Sequence, residues 1–257
     1  MKSLFEMGAR GQVLVAVLVL AAAVAPYRGQ LRRWLEPVVH RLRGRATVAD
    51  RLEQVGTAAR GRLRPHFERA GCPYPPKELT LVGLKAERRL EVWAKGEASE
   101  AFRWVCEYPI LGRSGGPGPK LREGDRQIPE GLYRIESLNP NSRYHLSLRI
   151  NYPNEFDRRH AQAEGRASPG GDIMIHGGSG SVGCLAMGDP VAEELFVLCA
   201  DVGLDPIRVV LSPVDFRARE MPALDRPLPG WCDDLYAQVR QELARLVHPT
   251  QKEGMPP

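Results

Sequence analysis

Two side chains suited to covalent chemistry, His176 and Cys184, stand eight positions apart in this sequence. The apolar run Ile173-Met174-Ile175 ends on His176, and the glycine-rich loop Gly177-Gly178-Ser179-Gly180-Ser181-Val182-Gly183 ends on Cys184. A strand that delivers a base, followed by a loop that folds a thiol back onto it, is the trace of a Cys–His nucleophile pair. A neutral imidazole takes the thiol proton. Its other ring nitrogen then needs a partner. No carboxylate is near in sequence, so the backbone carbonyl of Gly177 is the candidate. The glycines permit a tight path and let the N–H groups of Gly183 and Cys184 turn toward a developing oxyanion. Ser181 is placed to hydrogen-bond within the same loop. These residues also read as a tight glycine turn with an incidental cysteine and a satisfied histidine, and spacing alone does not choose.

The flanking elements follow from periodicity. Leu79–Leu84 and Leu90–Ala94, separated by polar residues, predict a hairpin. Ala101–Ile110, Leu132–Ile135 and Ile207–Leu211 read as further strands. Tyr144, Leu146, Leu148 and Ile150 alternate with His145, Ser147 and Arg149, which puts His145 on the polar face of a half-buried strand. His145, Tyr144 and Arg143 are therefore candidates to line a substrate cleft. Gly112–Gly131 reads as a long polar loop, in which Asp125, Arg126 and Glu130 shape a turn before the next strand. Trp93 and Trp104 are expected in the core. After Cys184 a helix is expected, with Asp189 as N-cap, Pro190 at the first helical position and Gly203 at its end. A last helix is expected from about Asp233 to Val247. Upstream, Val48, Leu52, Val55, Ala59 and Leu63 recur at helical spacing, with Thr47 or Asp50 as the start.

The 257 residues suffice for one substantial domain with extra pieces. Charge is uneven: residues 28–71 hold eleven arginines against four acids, within a net charge of +5 for the whole chain. This segment faces anionic lipid, a polyanion or water. No aromatic side chains interleave with its arginines in a nucleic-acid motif, so nucleic acid is not an expected partner. Lys2 and Arg10 precede an uncharged apolar stretch, Val13–Ala25, whose thirteen residues suit a signal peptide. They fall short of the roughly 20 needed to span a bilayer. We therefore expect export to the periplasm or cell envelope, as a secreted form or one held at the membrane by residues 1–27. The arginines at 28, 32 and 33 argue the other way. The five cysteines make an odd count, so one stays unpaired in a monomer. Cys72, Cys106 and Cys232 are open to pairing, whereas Cys199 reads as a buried small hydrophobe. None has metal-like spacing, so no metal is expected.

The stretch from His176 through Ser181, Gly183 and Cys184 resembles the active-site signature of L,D-transpeptidases with a YkuD-type catalytic domain, a histidine followed by Ser/Thr-x-Gly-Cys. Gly118-Pro119-Lys120, Glu123-Gly124-Asp125-Arg126, Pro129-Glu130-Gly131, Leu138 through His145, Tyr152-Pro153-Asn154 and Cys184-Leu185-Ala186-Met187 extend the likeness toward the YafK-like subgroup, over roughly residues 72–217. The resemblance implies a mainly β fold, a YkuD-like β-sandwich with N- and C-terminal helices appended. It implies Cys184 as nucleophile, His176 as base, and backbone support from Gly183, Ser181 and Gly177. Its substrate is peptidoglycan stem peptides, acylated on Cys184 and resolved by an amine, with no metal or organic cofactor. Two departures stand out: Val182 where the family often has histidine, and Ala186 where it often has arginine or asparagine. They leave the acceptor open. A hydrolase that cleaves a crosslink or releases a wall-attached protein is one alternative, and an inactive wall-binding protein is another. The expected organisation is an N-terminal signal or anchor (1–27), a basic helical segment (28–71), the catalytic domain (72–217) and a C-terminal helix and tail (218–257).

Overall fold

The computed structural model describes residues 44–97, 101–225 and 227–247. The expected signal or anchor, the first part of the basic segment and the tail from Pro249 lie outside these residues. Among the described residues no helix is long and apolar enough to cross a membrane.

The chain from Thr47 on forms one compact unit. It opens with helix α1, Val48–Arg69, started by a capping box. The Thr47 side chain accepts from Asp50 N–H at 3.2 Å, and the Asp50 carboxylate accepts from Thr47 N–H at 2.7 Å. Two orphan donors of the first turn are thereby satisfied. Gly56, Ala59, Leu63 and Phe67 form its buried stripe. Strands β1 (Glu78–Leu84), β2 (Arg89–Lys95), β3 (Arg103–Pro109), β4 (Gly131–Ser142) and β5 (His145–Ile150) follow. After helix α2, Glu155–Ala163, come β6 (Met174–His176) and β7 (Leu185–Ala186). Helix α3 (Asp189–Val202), β8 (Ile207–Ser212) and helix α4 (Cys232–Ala244) complete the unit.

The eight strands lie in the order β3-β2-β1-β8-β4-β5-β6-β7. Pairing is antiparallel except for β1 with β8 and β6 with β7. β4 serves two neighbours: Gly131–Arg134 pair with β8, and the stretch from Ile135 onward pairs with β5 through irregular register. Such bulges bend a strand and pass it from one surface to another. Leu79 and Leu81 of β1, Leu146 and Leu148 of β5, Ile175 of β6 and Leu185 of β7 meet Leu63 and Phe67 of α1 and Leu195 and Leu198 of α3 in one core. The alternate residues of β1, Val82 and Leu84, join Trp93, Val210, Val239 and Leu243 in a second cluster under α4. β1 is thus covered on both faces, which explains its nearly continuous apolar run. Trp93 is in the core as expected, and Trp104 packs at its edge.

Two local readings need correction. Residues 155–163, for which the sequence offered no helix, are helical and start with a capping box between Asn154 and Asp157. Asp189 is not the N-cap of α3. Gly188 takes that position, and the Asp189 carboxylate instead accepts the N–H of Gly178 at 2.8 Å. All five cysteines are free thiols, with Cys72, Cys106, Cys199 and Cys232 buried.

Two arginines of α1 reach the acids of α3. Arg60 binds Asp201 through both Nε (2.8 Å) and Nη2 (2.6 Å). Arg62 reaches Glu194 (2.5 Å), Glu193 (3.0 Å) and the Pro190 carbonyl (3.1 Å). Bidentate guanidinium pairs of this kind fix geometry as well as neutralise charge. Two cations of the basic segment are therefore matched by the acids of α3.

Candidate active site

β6 and β7 run parallel, with Ile175 opposite Leu185 and His176 opposite Ala186. Parallel neighbours ordinarily need a long crossover, yet here the link is only the loop 177–184. Glycine makes this possible. A Cβ on Gly177 would lie 2.5 Å from Asp189 Oδ1 and 2.6 Å from the Tyr144 carbonyl oxygen, so no side chain fits. Gly183 has φ +88°, in the region that side chains rarely adopt. The loop closes with Met187 N–H donating to His176 O (2.8 Å) and Gly188 N–H to Gly178 O (2.9 Å).

Ile175 and Leu185 face the core. By strand alternation His176 and Ala186 take the other face, and Cys184 returns to that face one residue pair before Ala186. The sulfur lies against the start of β6: Met174 N–H donates to Sγ at 3.4 Å, and the thiol donates to the Asp172 carbonyl at 3.7 Å. Cys184 is half-buried. Burial raises its pKa, opposed by the Met174 N–H and by the positive charge of Lys120. No hydrogen bond among the described residues joins it to His176.

His176 is only 2% exposed. Its Nδ1 lies 2.6 Å from the Gly177 carbonyl. A carbonyl only accepts, so Nδ1 carries the hydrogen and Nε2 keeps its lone pair. Burial pulls the imidazole below its ordinary pKa, partly offset by that carbonyl. Both shifts favour the neutral forms of the histidine and the cysteine.

The loop hydroxyls occupy the amides expected to receive an oxyanion. Ser181 Oγ accepts from Cys184 N–H (3.0 Å) and donates to Cys184 O (2.5 Å). Gly183 N–H donates to Ser114 Oγ at 2.6 Å, a contact across 69 residues. Nothing local in the sequence signals Ser114. The segment that carries it is tied to the site where Gly112 bridges to Ala186.

The β4–β5 turn covers the histidine. Tyr144, 52% exposed, stacks on the His176 ring at 4.5 Å between centroids. His145 has φ +70° and pairs through Nε2 with Glu193 at 3.0 Å. Arg143 is exposed in the turn. Lys120, Asp172 and Arg149 were not singled out as site residues in the sequence. Arg149 binds Asp172 at 2.7 Å. Lys120 is buried and bound to Asp125 (2.7 Å). Asp125 also accepts the N–H groups of Leu121, Arg122 and Gln127, so it shapes the loop wall. Glu130 likewise anchors this loop, in a buried pair with Lys85 at 2.8 Å. No group of three or more His, Cys, Asp or Glu among the described residues is placed to hold a metal ion.

Comparison with known proteins places this arrangement in context. The family model described as "YkuD: L,D-transpeptidase catalytic domain" matches residues 79–210. The proteins called "Putative L,D-transpeptidase YafK" in Escherichia coli K12 and O157:H7 are each 40% identical over 115 residues, 44% of this chain and 44% of theirs. The match thus spans less than half the length of those relatives. Among solved structures, Bd1075 of Bdellovibrio bacteriovorus is 21% identical, with a TM-score of 0.40 over 68% of this chain and 57% of its own. The helical cell shape determining protein Pgp2 of Campylobacter jejuni is 20% identical, with a TM-score of 0.42 over 57% of this chain and 50% of its own.

Proposed function

Because the chain belongs to the L,D-transpeptidase catalytic domain (YkuD) family, we propose that it transfers acyl groups of peptidoglycan stem peptides through a thioester on Cys184. Nε2 of His176 takes the thiol proton as sulfur attacks the peptide carbonyl carbon. The C–S bond forms while the carbonyl π pair moves onto oxygen. Collapse expels the amine, the imidazolium returns its proton to that nitrogen, and a thioester remains. An incoming amine then attacks the thioester, gives up a proton through His176 to the departing sulfur, and leaves as the new amide. Gly183 and Cys184 offer their N–H groups to the oxyanion once the Ser114 and Ser181 hydroxyls turn aside.

The observation that carries this reading is the hydrogen bond from His176 Nδ1 to the Gly177 carbonyl, on a strand paired in register with the one entered by Cys184. It commits the imidazole to the tautomer that a base needs. Water is the second acceptor to consider. Ala186, opposite His176, is fully buried and has no polar group to hold an amine. Hydrolysis of a crosslink, or release of a wall-linked protein, is the corresponding alternative. Either activity places the protein in the cell envelope, by export or with residues 1–27 at the membrane.

The test is incubation with purified sacculi and an amine acceptor. Crosslinked or exchanged muropeptides support the transferase, and released stems or proteins alone support the hydrolase. No product with the wild type, or undiminished product with Cys184→Ala, overturns the reading. Iodoacetamide should label Cys184 ahead of the four buried thiols, and labelling should slow in His176→Ala.

A further inference from the structure

General-base action by His176 requires that the Gly177 carbonyl keep pointing at Nδ1. The amide that carries this carbonyl joins two glycines, and Gly178 has φ +68°. With no Cβ on either side, such an amide can turn over at little steric cost. Once inverted it would present its N–H to Nδ1 and leave the imidazole in the opposite tautomer. Local sterics therefore do not aim the carbonyl, and a partner elsewhere must.

The neighbouring amides are tied to other elements. Gly177 N–H donates to the Leu146 carbonyl (3.2 Å), and the Gly178 carbonyl accepts from Gly188 N–H (2.9 Å). These bonds fix the flanks of the turn and leave the amide between them free to rotate. That amide is held at both of its own ends. Its oxygen takes the Nδ1 hydrogen of His176 at 2.6 Å, and its N–H donates to Asp189 Oδ1 at 2.8 Å. The bond is trans, so its N–H and C=O point in opposite directions. Carboxylate, amide and imidazole thus stand in series, each donor facing one acceptor.

Asp189 is anchored for this task. It is the first residue of α3, a helix fixed in the core by Leu195 and Leu198. Oδ1 lies so near the amide that a Cβ on Gly177 would come to 2.5 Å from it. The carbonyl end of the amide is buried beside His176, whereas the carboxylate sits at the surface.

We propose that Asp189 is a positioning residue for the base. By accepting the Gly178 N–H it holds the Gly177 carbonyl toward His176, and so keeps the imidazole proton on Nδ1 and the lone pair on Nε2. It acts through the amide and not on the reacting atoms. The hydrogen bond does this and the negative charge does not, so asparagine is an adequate substitute. An acid in the first turn of a helix also stabilises that helix, a role that asparagine and alanine would lose alike. The catalytic consequence rests on the acyl-transfer reading, whereas the tautomer does not.

The test reads the tautomer directly. The full-length protein is prepared with isotope-labelled histidine and studied at about pH 8, where an imidazole is neutral. Long-range proton–nitrogen correlation spectra report which ring nitrogen carries hydrogen, and His176→Gln identifies the signals of His176. The wild type and Asp189→Asn should show hydrogen on Nδ1 alone, and Asp189→Ala should show a mixture of both tautomers. With a soluble stem-peptide donor, Asp189→Ala should lower kcat by about ten- to a hundredfold with KM little changed, as misdirection of a catalytic group does. Asp189→Asn should keep most of the wild-type rate. An unmixed Nδ1 signal or a wild-type kcat in Asp189→Ala, or a mixture in Asp189→Asn, overturns the inference. Circular dichroism identifies a variant that fails to fold. Asp189→Val, similar in shape and without an acceptor, then replaces Asp189→Ala with the same expectations. Absence of turnover by the wild type counts against the acyl-transfer reading alone, because the spectra need no substrate.

Discussion

The Tyr144 ring lies on the His176 imidazole, 4.5 Å between centroids and 29° between planes. One face of the imidazole is thereby closed to water while the tyrosine itself stays half in solvent. Desolvation is what keeps His176 below its ordinary pKa.

Tyr144→Ala should therefore move the acidic limb of the kcat/KM profile to higher pH. Uncovering the ring raises its pKa, and the base must be neutral to accept a proton. Tyr144→Phe keeps the stack and should leave the limb in place. A profile unchanged in Tyr144→Ala would show that the stack does not control the base.

Ser114→Ala should raise kcat/KM by about two- to tenfold. The Ser114 hydroxyl occupies the Gly183 N–H at 2.6 Å, and a hydrogen bond of this kind has a net worth of about 0.5–1.5 kcal/mol that the oxyanion must displace. Steady-state kinetics with a fixed donor checks this. A fall in rate would instead make Ser114 an active donor.

Asp157→Asn should stabilise the protein near neutral pH. Burial pushes the Asp157 carboxyl up to about 6, against the hydrogen bond it accepts from Asn154 N–H. The folded state thus holds a proton that the unfolded chain releases near pH 4. Stability falls as pH rises from about 4 to 6, by on the order of 3 kcal/mol, and the loss persists above that range. Asparagine keeps an acceptor for the cap and has no charge to bury. Melting temperatures between pH 4 and 7 should fall for the wild type and stay flatter for the variant.

Lys85→Ala should be severely destabilising, by about 3–5 kcal/mol, since it strands the buried Glu130 carboxylate. Urea titration measures it. Lys85→Met with Glu130→Gln should recover part of the loss.

These expectations draw on features of unequal visibility in the sequence. The hairpin of β1 and β2, the alternation in β5 and the Thr47–Asp50 start of α1 were legible, because each rests on neighbours within a few residues. Helix α2 was not. Its only buried residue is Ala161, so it has no apolar stripe to read, and charged side chains mask its cap. Asp189 looked like a cap because it precedes Pro190, but the loop beside it offered Gly178 N–H as a competing donor. At the site, the strand–loop–thiol order of His176 and Cys184 was apparent from local spacing. Ser114 was not, since it arrives from a distant part of the chain and its type is common on any surface.

The direction of the sulfur is set on the strand side of Cys184, by its offset from Leu185 and Ala186, and this has a consequence for how such a site can change. Strand side chains alternate, so inserting a single residue between Cys184 and Leu185 while β6–β7 pairing is kept would swing the sulfur through the sheet to the apolar side. Inserting two would restore its direction. Residues added earlier in the 177–184 link leave Cys184 in its register, so length variation is expected there and not at the junction with β7.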